Sequence, residues 1–518
     1  MRPYVCVDTG NASPRYVRLT TRLIASTSSI LDKTRLPLAG IVTPFADPEP
    51  GEYDVSVSEW SHEQGPVRCA RCRGFLNCFV RVQPNGAWQC NMCGGDNQVS
   101  DEYATFLHNL GGRVPAESRF GSVEYLVSGD YVDKKRSRPL RSDYVFLLDA
   151  SAPSLRSGLF SYSLHVLSLL AREACFAGGA AARVGVVTYD EESVTFFACK
   201  AATQRAHKLL IINEADEGFA PVPPEGFMVA AHDVAAVDQL HALVRGRYPD
   251  PPTAAQGASL SVGGTALAAV CESLRACGGR VVWLVSSLPS AGQGRLIDRD
   301  QQSLVGRDEE ATLYGAPKDE QFFNSMATRC AVTAVGVDVI AAGAAFVDLA
   351  TLAQVPSTTG GTCERIAGFS AANAVHRGTL HRLLTRCVSG TRAMDVTLKV
   401  RTSTGLKANQ YRSHGLPEDG NLRMALWTHD MSMSVELEHD GTKLEAGSAM
   451  AFVQVAALFT SPVDGSRRLR THTVALAARD NVEQLTASFD SLAVALFWAK
   501  VTAQAVVRPP VPLVARAR

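Results

Sequence analysis

Four cysteines carry the strongest chemical signal in this chain of 518 residues. Cys69 and Cys72 form one Cys-x2-Cys pair, seventeen residues intervene, and Cys90 and Cys93 form a second pair. Two short knuckles spaced in this way close a tetrahedron of thiolates around one zinc ion and leave no position for water. The ion is therefore expected to be structural, not catalytic, and to contribute on the order of 10 kcal/mol to folding a module with little core of its own. Cys78, between the knuckles, reads as a packed thiol rather than a fifth ligand. Basic residues gather at the same place: Arg68 and Arg73 flank the first pair and Arg71 lies inside it. A second basic pair, Lys399 and Arg401, falls on the polar face of a later strand. Arginine forks offer bidentate donors to a carboxylate, so each cluster reads either as a solvated basic face or as part of an anion pocket, and spacing alone leaves both open.

A second candidate is Asp149-Ala-Ser151-Ala-Pro153, where a strand ends and a helix begins. Domains of von Willebrand A type hold magnesium there through Asp-x-Ser-x-Ser. Pro153 replaces the second serine and offers no hydroxyl to a hard cation, and the later strand ends in Ser286-Ser287-Leu288-Pro289 without a carboxylate. A working metal site is not expected at this position. The chain has no Walker loop, G-x-G-x-x-G turn, G-x-S-x-G elbow or H-E-x-x-H helix, which weighs against an enzyme. His62, next to Glu63, and the other histidines have no spacing that assembles a triad.

These residues need elements to hold them, and the hydropathy pattern changes period along the chain. Tyr4 to Pro44 reads as two or three short strands, and Pro44 to Gly51 as a proline-rich linker. From Asp143 apolar runs alternate with amphipathic segments: Tyr144 to Leu148, a helix from about Ser157, the strand Val184 to Thr188, a helix bearing Val234, Val237, Leu240 and Val244, another opened by Thr265, strands Val281 to Val285 and Val332 to Ile340, and a helix from Ser370 to Cys387. That order implies a mostly parallel sheet covered on both faces. Beyond it Met394, Val396, Leu398 and Val400 alternate with polar residues, and Ala451 to Phe459 and Leu469 to Leu476 look alike, a half-buried antiparallel pattern. The end turns helical, with Leu485, Phe489, Leu492 and Leu496 on one face and no second helix to cover it.

Composition narrows the function classes. Fifty-one basic and fifty-one acidic residues give a net charge of zero, which disfavours polyanion binding by the whole chain. No apolar leader follows Met1, and Ser491 to Val507 is broken by Lys500 and Gln504, so neither secretion nor a membrane span is expected. Thirteen cysteines, an odd number mostly scattered singly, fit a reducing, cytosolic compartment.

At the zinc module the resemblance becomes specific. Pro66-Val-Arg-Cys-Ala-Arg-Cys-Arg73, Trp88-Gln-Cys-Asn-Met-Cys-Gly94 and Asp101-Glu-Tyr103 resemble the inner-layer subunits of the COPII vesicle coat. Asn11 to Thr20, Leu31 to Leu38, Ser286 to Pro289, and Phe346 to Leu352 with Thr359-Gly-Gly361 resemble the cargo-adaptor branch of that Sec23/Sec24 family rather than its GTPase-activating sister. The resemblance implies a multidomain α/β plus β protein: N-terminal strands of a β-sandwich over 1–52, a zinc ribbon over 53–115, a von Willebrand A-like doubly wound trunk over 140–388, the rest of an antiparallel β-sandwich over 390–480, and the start of a helical module over 484–518. Most of that module and the family's gelsolin-like module are expected to be missing, as is its Pro-rich N-terminal extension.

The function so implied is non-catalytic selection of membrane cargo for transport from endoplasmic reticulum to Golgi. Its partners are the sister coat subunit, met through the trunk, the coat's small GTPase and acidic export signals, with peripheral membrane association at the cytosolic face of exit sites. The family's pocket for acidic di-leucine-like signals maps onto Arg68 and Arg73, just outside the first cysteine pair, and onto Lys399 and Arg401 after the trunk. An ammonium at Lys399 cannot reproduce a guanidinium fork. Two other functions compete: the GTPase-activating sister subunit, and a zinc-ribbon and von Willebrand A subunit of a nucleic-acid machine.

Overall fold

The computed structural model describes residues 5–507 except positions 62, 64, 133–137, 199–206, 215, 249–259, 300, 301, 314–320 and 448. His62 and the tail 508–518 lie outside the described residues. A sheet with fully buried central strands runs in the order Lys208–Ile212, Val194–Ala198, Arg183–Tyr189, Asp143–Asp149, Gly279–Val285, Val335–Ala341, Cys363–Arg365. From Arg183–Tyr189 onward the pairing is parallel, and the first two strands add an antiparallel edge. Helices Leu159–Arg172, Val234–Arg247 and Ala374–Ser389 cover one face. Helices Gly263–Leu274 and Phe322–Thr333 cover the other. Burial on both sides is why these strands are continuously apolar instead of alternating.

A β-sandwich stands beside this domain. Its larger sheet runs Leu416–Glu418, Asn421–Thr428, Thr391–Thr402, Met450–Thr460, Arg467–Arg479, Ser122–Leu126, Ser56–Val57, and Leu23–Ala25 lies parallel along Arg467–Arg479. The smaller sheet runs Val17–Leu19, Ala39–Val42, Met433–His439, Leu406–Arg412. Ile24, Phe45, Val396, Leu398, Trp427, Val455 and Phe459 fill the space between them. A buried ion pair within the trunk reaches into the sandwich. Arg280 grips Asp338 with two bonds of 2.6 and 2.9 Å, and its remaining arm donates to Thr391 Oγ1 at 2.8 Å, at the first residue of a sandwich strand. All three groups are buried, so the attraction is little screened and a lost partner would leave a charge without solvent.

Several sequence expectations are corrected here. The helix expected from about Ser157 is Leu159–Arg172, and a separate short helix that was not expected, Ala152–Ser157, precedes it, because Gly158 turns left-handed at φ 75°. The strand expected from Val332 begins at Val335; Val332 lies in the last turn of the preceding helix and is exposed. Ser370 precedes its helix, which Asn373 caps by accepting from the amides of Val375 and His376. The run Pro44 to Gly51 is more than a linker, since Phe45 packs edge-on against Trp427 and Phe459 in the sandwich core. At the C-terminal end Ser488 to Asp490 interrupt the helix, leaving Val482–Ala487 and Ser491–Val507. The expected stripe is therefore split. Phe497 and Val501 pack on Ala39 and Ile41, while Leu496 and Trp498 face out.

Candidate metal centre and the adjoining basic cleft

The knuckles form because a left-handed turn lets each pair of sulfurs face inward. Arg73 at φ 61° and Gly94 at φ 70° occupy equivalent positions in the two turns. Each turn closes with matching backbone bonds: Cys69 N to Gly74 O at 2.8 Å and Arg73 N to Cys69 O at 3.0 Å, then Cys90 N to Gly95 O at 2.9 Å and Gly94 N to Cys90 O at 2.8 Å. The four sulfurs lie within 4.8 Å of one another. Cys69 to Cys93 and Cys72 to Cys90 are each 3.6 Å apart, close to the ~3.8 Å edge of a tetrahedron with Zn–S bonds of about 2.3 Å. The surroundings favour thiolate. The Gly74 amide donates to Cys72 Sγ and the Asn97 side chain to Cys69 Sγ, both at 3.4 Å. Although burial opposes it, the amides of Cys72 and Arg71 and the Asn97 side chain pull the Cys69 thiol down to about 6. Burial pushes Cys72 and Cys90 upward, so four charged sulfurs need a cation between them. The donor set fits one structural zinc ion.

Cys78 stands outside this cluster and donates to the Gly10 carbonyl at 2.9 Å, with burial raising its thiol to about 12. The module has more core than its length suggested, because Trp60, Leu76, Trp88, Met92, Val99 and Tyr103 pack together with Cys69 and Cys90.

The knuckle is welded to the sandwich by one buried amide. Gln454 accepts from Phe75 N at 2.8 Å and donates to Phe75 O at 3.0 Å and Thr473 Oγ1 at 3.2 Å. Its neighbour in register is Arg401. The Arg401 guanidinium consequently lies 5.6 Å over the Phe75 ring, and Thr404 N bonds Met92 O at 3.0 Å. Arg68 lies 5.6 Å over the ring of Tyr131. Burial pushes the Tyr131 phenol up, while Arg68, Arg73 and Arg401 pull it down. Burial, with a repulsive contribution from Arg68, lowers Arg401 itself. Lys399 and Arg401, two residues apart on one strand face, line a cleft of about 380 Å³ with Cys72, Met92, Lys407 and Tyr411.

Two residues of this cleft and one outside its lining escaped the sequence. Tyr131, under Arg68, has a buried hydroxyl with no partner among the described residues and sits in a short turn remote from every motif. Lys407 and Tyr411 lie on the smaller sheet, and only the sandwich fold brings them here.

The magnesium-like position is closed. Asp149 Oδ1 accepts from Ser151 N at 2.9 Å, and Oδ2 accepts from Ser286 N at 2.9 Å and Ser286 Oγ at 2.6 Å. Burial raises its carboxyl, and both carboxylate oxygens already accept from these serines.

A four-cysteine knuckle locked to a β-sandwich, beside a von Willebrand A-like sheet and a basic cleft, defines the architecture. Models of the Sec23/Sec24 zinc finger, trunk and beta-sandwich domains match residues 66–103, 139–388 and 393–478. The chain belongs to the Sec23/Sec24 family. It is 30% identical to human protein transport protein Sec24C over 99% of its own length and 46% of that protein, and 29% identical to human Sec24D over 98% and 49%. Protein transport protein SEC24 A of Arabidopsis thaliana is 28% identical over 89% of this chain and 43% of its own length. The crystal structure of the human COPII-coat protein Sec24c superposes with a TM-score of 0.87 at 28% identity, over 98% of this chain and 66% of that one. The chain spans about half the length of the curated relatives it matches. Among the described residues no helix is long and apolar enough to cross a membrane.

Proposed function

We propose that this chain selects membrane cargo for the COPII coat by holding the carboxylates of acidic export signals in the basic cleft. Arg68 and Arg73 supply guanidinium donors from the zinc knuckle, and Lys399 and Arg401 supply charge from the sandwich strand. The observation that carries the reading is the Gln454 clamp on Phe75, which fixes two basic clusters more than 300 residues apart against each other. Arg401, half-withdrawn from water over Phe75, makes a stronger charge-assisted bond than an exposed arginine would. Cys69, Cys72, Cys90 and Cys93 would hold zinc, and the bound ion would fix the backbone from which Arg68 and Arg73 project. No step of bond making is involved.

The reading carries partners with it: a sister inner-coat subunit met through the trunk, the coat's small GTPase, and peripheral association with the cytosolic face of endoplasmic reticulum exit sites. The GTPase-activating and nucleic-acid alternatives gain nothing from the relatives described above, which are transport proteins of the Sec24 type.

Fluorescence anisotropy of a labelled peptide bearing an acidic di-leucine-like signal tests the pocket. The wild-type chain is expected to bind saturably, and Arg68→Ala with Arg73→Ala to lose about 2–4 kcal/mol while retaining its zinc. Equal affinity in the two proteins would sink the assignment.

A further inference from the structure

The larger sandwich sheet ends at Ser56–Val57, a strand bonded on one side only among the described residues. It runs parallel to Ser122–Leu126, with Ser56 opposite Val123 and Val57 opposite Glu124. Ser58 N donates to Glu124 O at 2.8 Å. In a parallel ladder the bonding residues alternate, so Ser56 and Ser58 turn toward Ser122–Leu126 and Val57 directs its N–H and C=O away from the sheet. Native edges are commonly blunted by a charge, a proline or a covering segment. Here the outward residue is a half-exposed valine, and the space beside it is a groove of about 780 Å³.

The groove is lined by Val57, Leu110, Val114 and Phe120, with Arg113 and Arg119 at its rim. Val114 is 61% exposed. The Arg119 guanidinium lies 4.9 Å over the Phe120 ring. Arg113 pairs with Glu59 at 3.2 Å across an exposed rim, an interaction of the weak, solvent-screened kind. The edge itself is rigid. Buried Glu117 accepts from Ser58 Oγ and from Tyr103 OH, each at 2.8 Å, tying strand, short helix and the helix Asp101–Asn109 together.

We infer that this edge is a second peptide site, distinct from the basic cleft, which takes an extended acidic-apolar segment of a partner protein as an added strand. Main-chain bonds to Val57 supply register, apolar side chains at alternate positions enter the groove over Phe120 and Val114, and a carboxylate meets Arg119. The rim favours an acidic partner: it offers two guanidinium groups against one carboxylate, Glu59. The site needs neither the zinc-side arginines nor Arg401, so it stands whether or not the cleft binds export signals.

The test uses the full chain and a fluorescein-labelled decapeptide of alternating glutamate and valine, titrated by anisotropy. The same peptide N-methylated at alternate residues and a lysine-valine counterpart serve as ligand controls. Saturable binding of the first peptide, at least tenfold weaker for both controls and for Arg119→Glu, yet unchanged in Arg68→Ala with Arg73→Ala, is the expected result. Equal binding of the N-methylated peptide overturns strand addition. Binding that survives Arg119→Glu but is lost in the double variant places the peptide in the basic cleft and overturns the site. No saturable binding, or self-association of the chain abolished by Arg119→Glu in sedimentation velocity, overturns the peptide partner, the second result in favour of another copy.

Discussion

His472 shows how one side chain can tie stability to acidity in a molecule of zero net charge. It is fully buried, stacks 4.8 Å from the ring of Tyr16, and meets Ser122 Oγ at 2.9 Å and Pro44 O at 3.3 Å. Burial, reinforced by repulsion from Arg470, pulls it down to about 3 against the opposing pull of the Pro44 carbonyl. The unfolded chain therefore takes up a proton near pH 6.5 that the folded chain refuses until about pH 3. Between these values the folded state loses stability as pH falls, at roughly 1.4 kcal/mol per pH unit. Burial also lowers His241 and His439, which add to the same slope. Urea midpoints between pH 7 and pH 5 are expected to fall for the wild type and to fall less for His472→Gln; parallel curves would remove His472 as a cause. Carboxylates held down by arginine, such as Glu52 at about 2 beside Arg15, act only below their unfolded value near 4.5.

At the scale of elements the Gln454 clamp makes a sharper prediction. Replacing Gln454 by leucine strands the Phe75 amide and carbonyl in a buried seam, at about 1–3 kcal/mol for each group left unmade. Urea unfolding should register the loss while metal analysis still finds one zinc per chain, and undiminished stability would count against the clamp. This residue also explains where sequence reading stopped. The four ligands were legible because Cys-x2-Cys is a local signal that needs no knowledge of the fold. The strand Thr391–Thr402 was legible because burial on one side imposes period two, and Lys399 and Arg401 fall on its polar side. Nothing in the run Ala451 to Phe459 marks Gln454 as an amide that joins two modules: it lies on the face away from the sandwich core, where a polar residue reads as solvent-facing, and the knuckle buries it there. The short helix Ser28–Thr34 was missed for a related reason: none of its residues is buried, so it leaves no apolar period. The terminal helix was misphased because Asp490 accepts from the amides of Leu492 and Ala493 and restarts it, a capping signal that the apolar stripe obscured.

Across the whole molecule, trunk and sandwich are expected to unfold as coupled units. Arg280→Met leaves Asp338 charged and buried, which typically costs 3–5 kcal/mol, and it also removes the arm that reaches Thr391. Calorimetry should show the trunk transition shifting down, with much of the loss recovered when Asp338→Leu is added so that neither charge remains. A double variant no better than the single one would mean that the pair is not what fails. The alternation of strands and helices announced this trunk from sequence, but its bond to the sandwich could not be read there, since an arginine and an aspartate in two apolar strands declare no partner.

The N-terminal strands place a demand on synthesis. Leu23 finds its sheet partner at Ala477, with the zinc module and the whole trunk lying between them in the chain. A ribosome adding about 5–20 residues per second needs roughly 20–90 s to cover that interval. Throughout it the first strands emerge as apolar segments whose sheet does not yet exist, while the trunk, which closes on itself, can fold behind them. Strands made this early are thus secured late, and for that time they are natural clients of a holding chaperone.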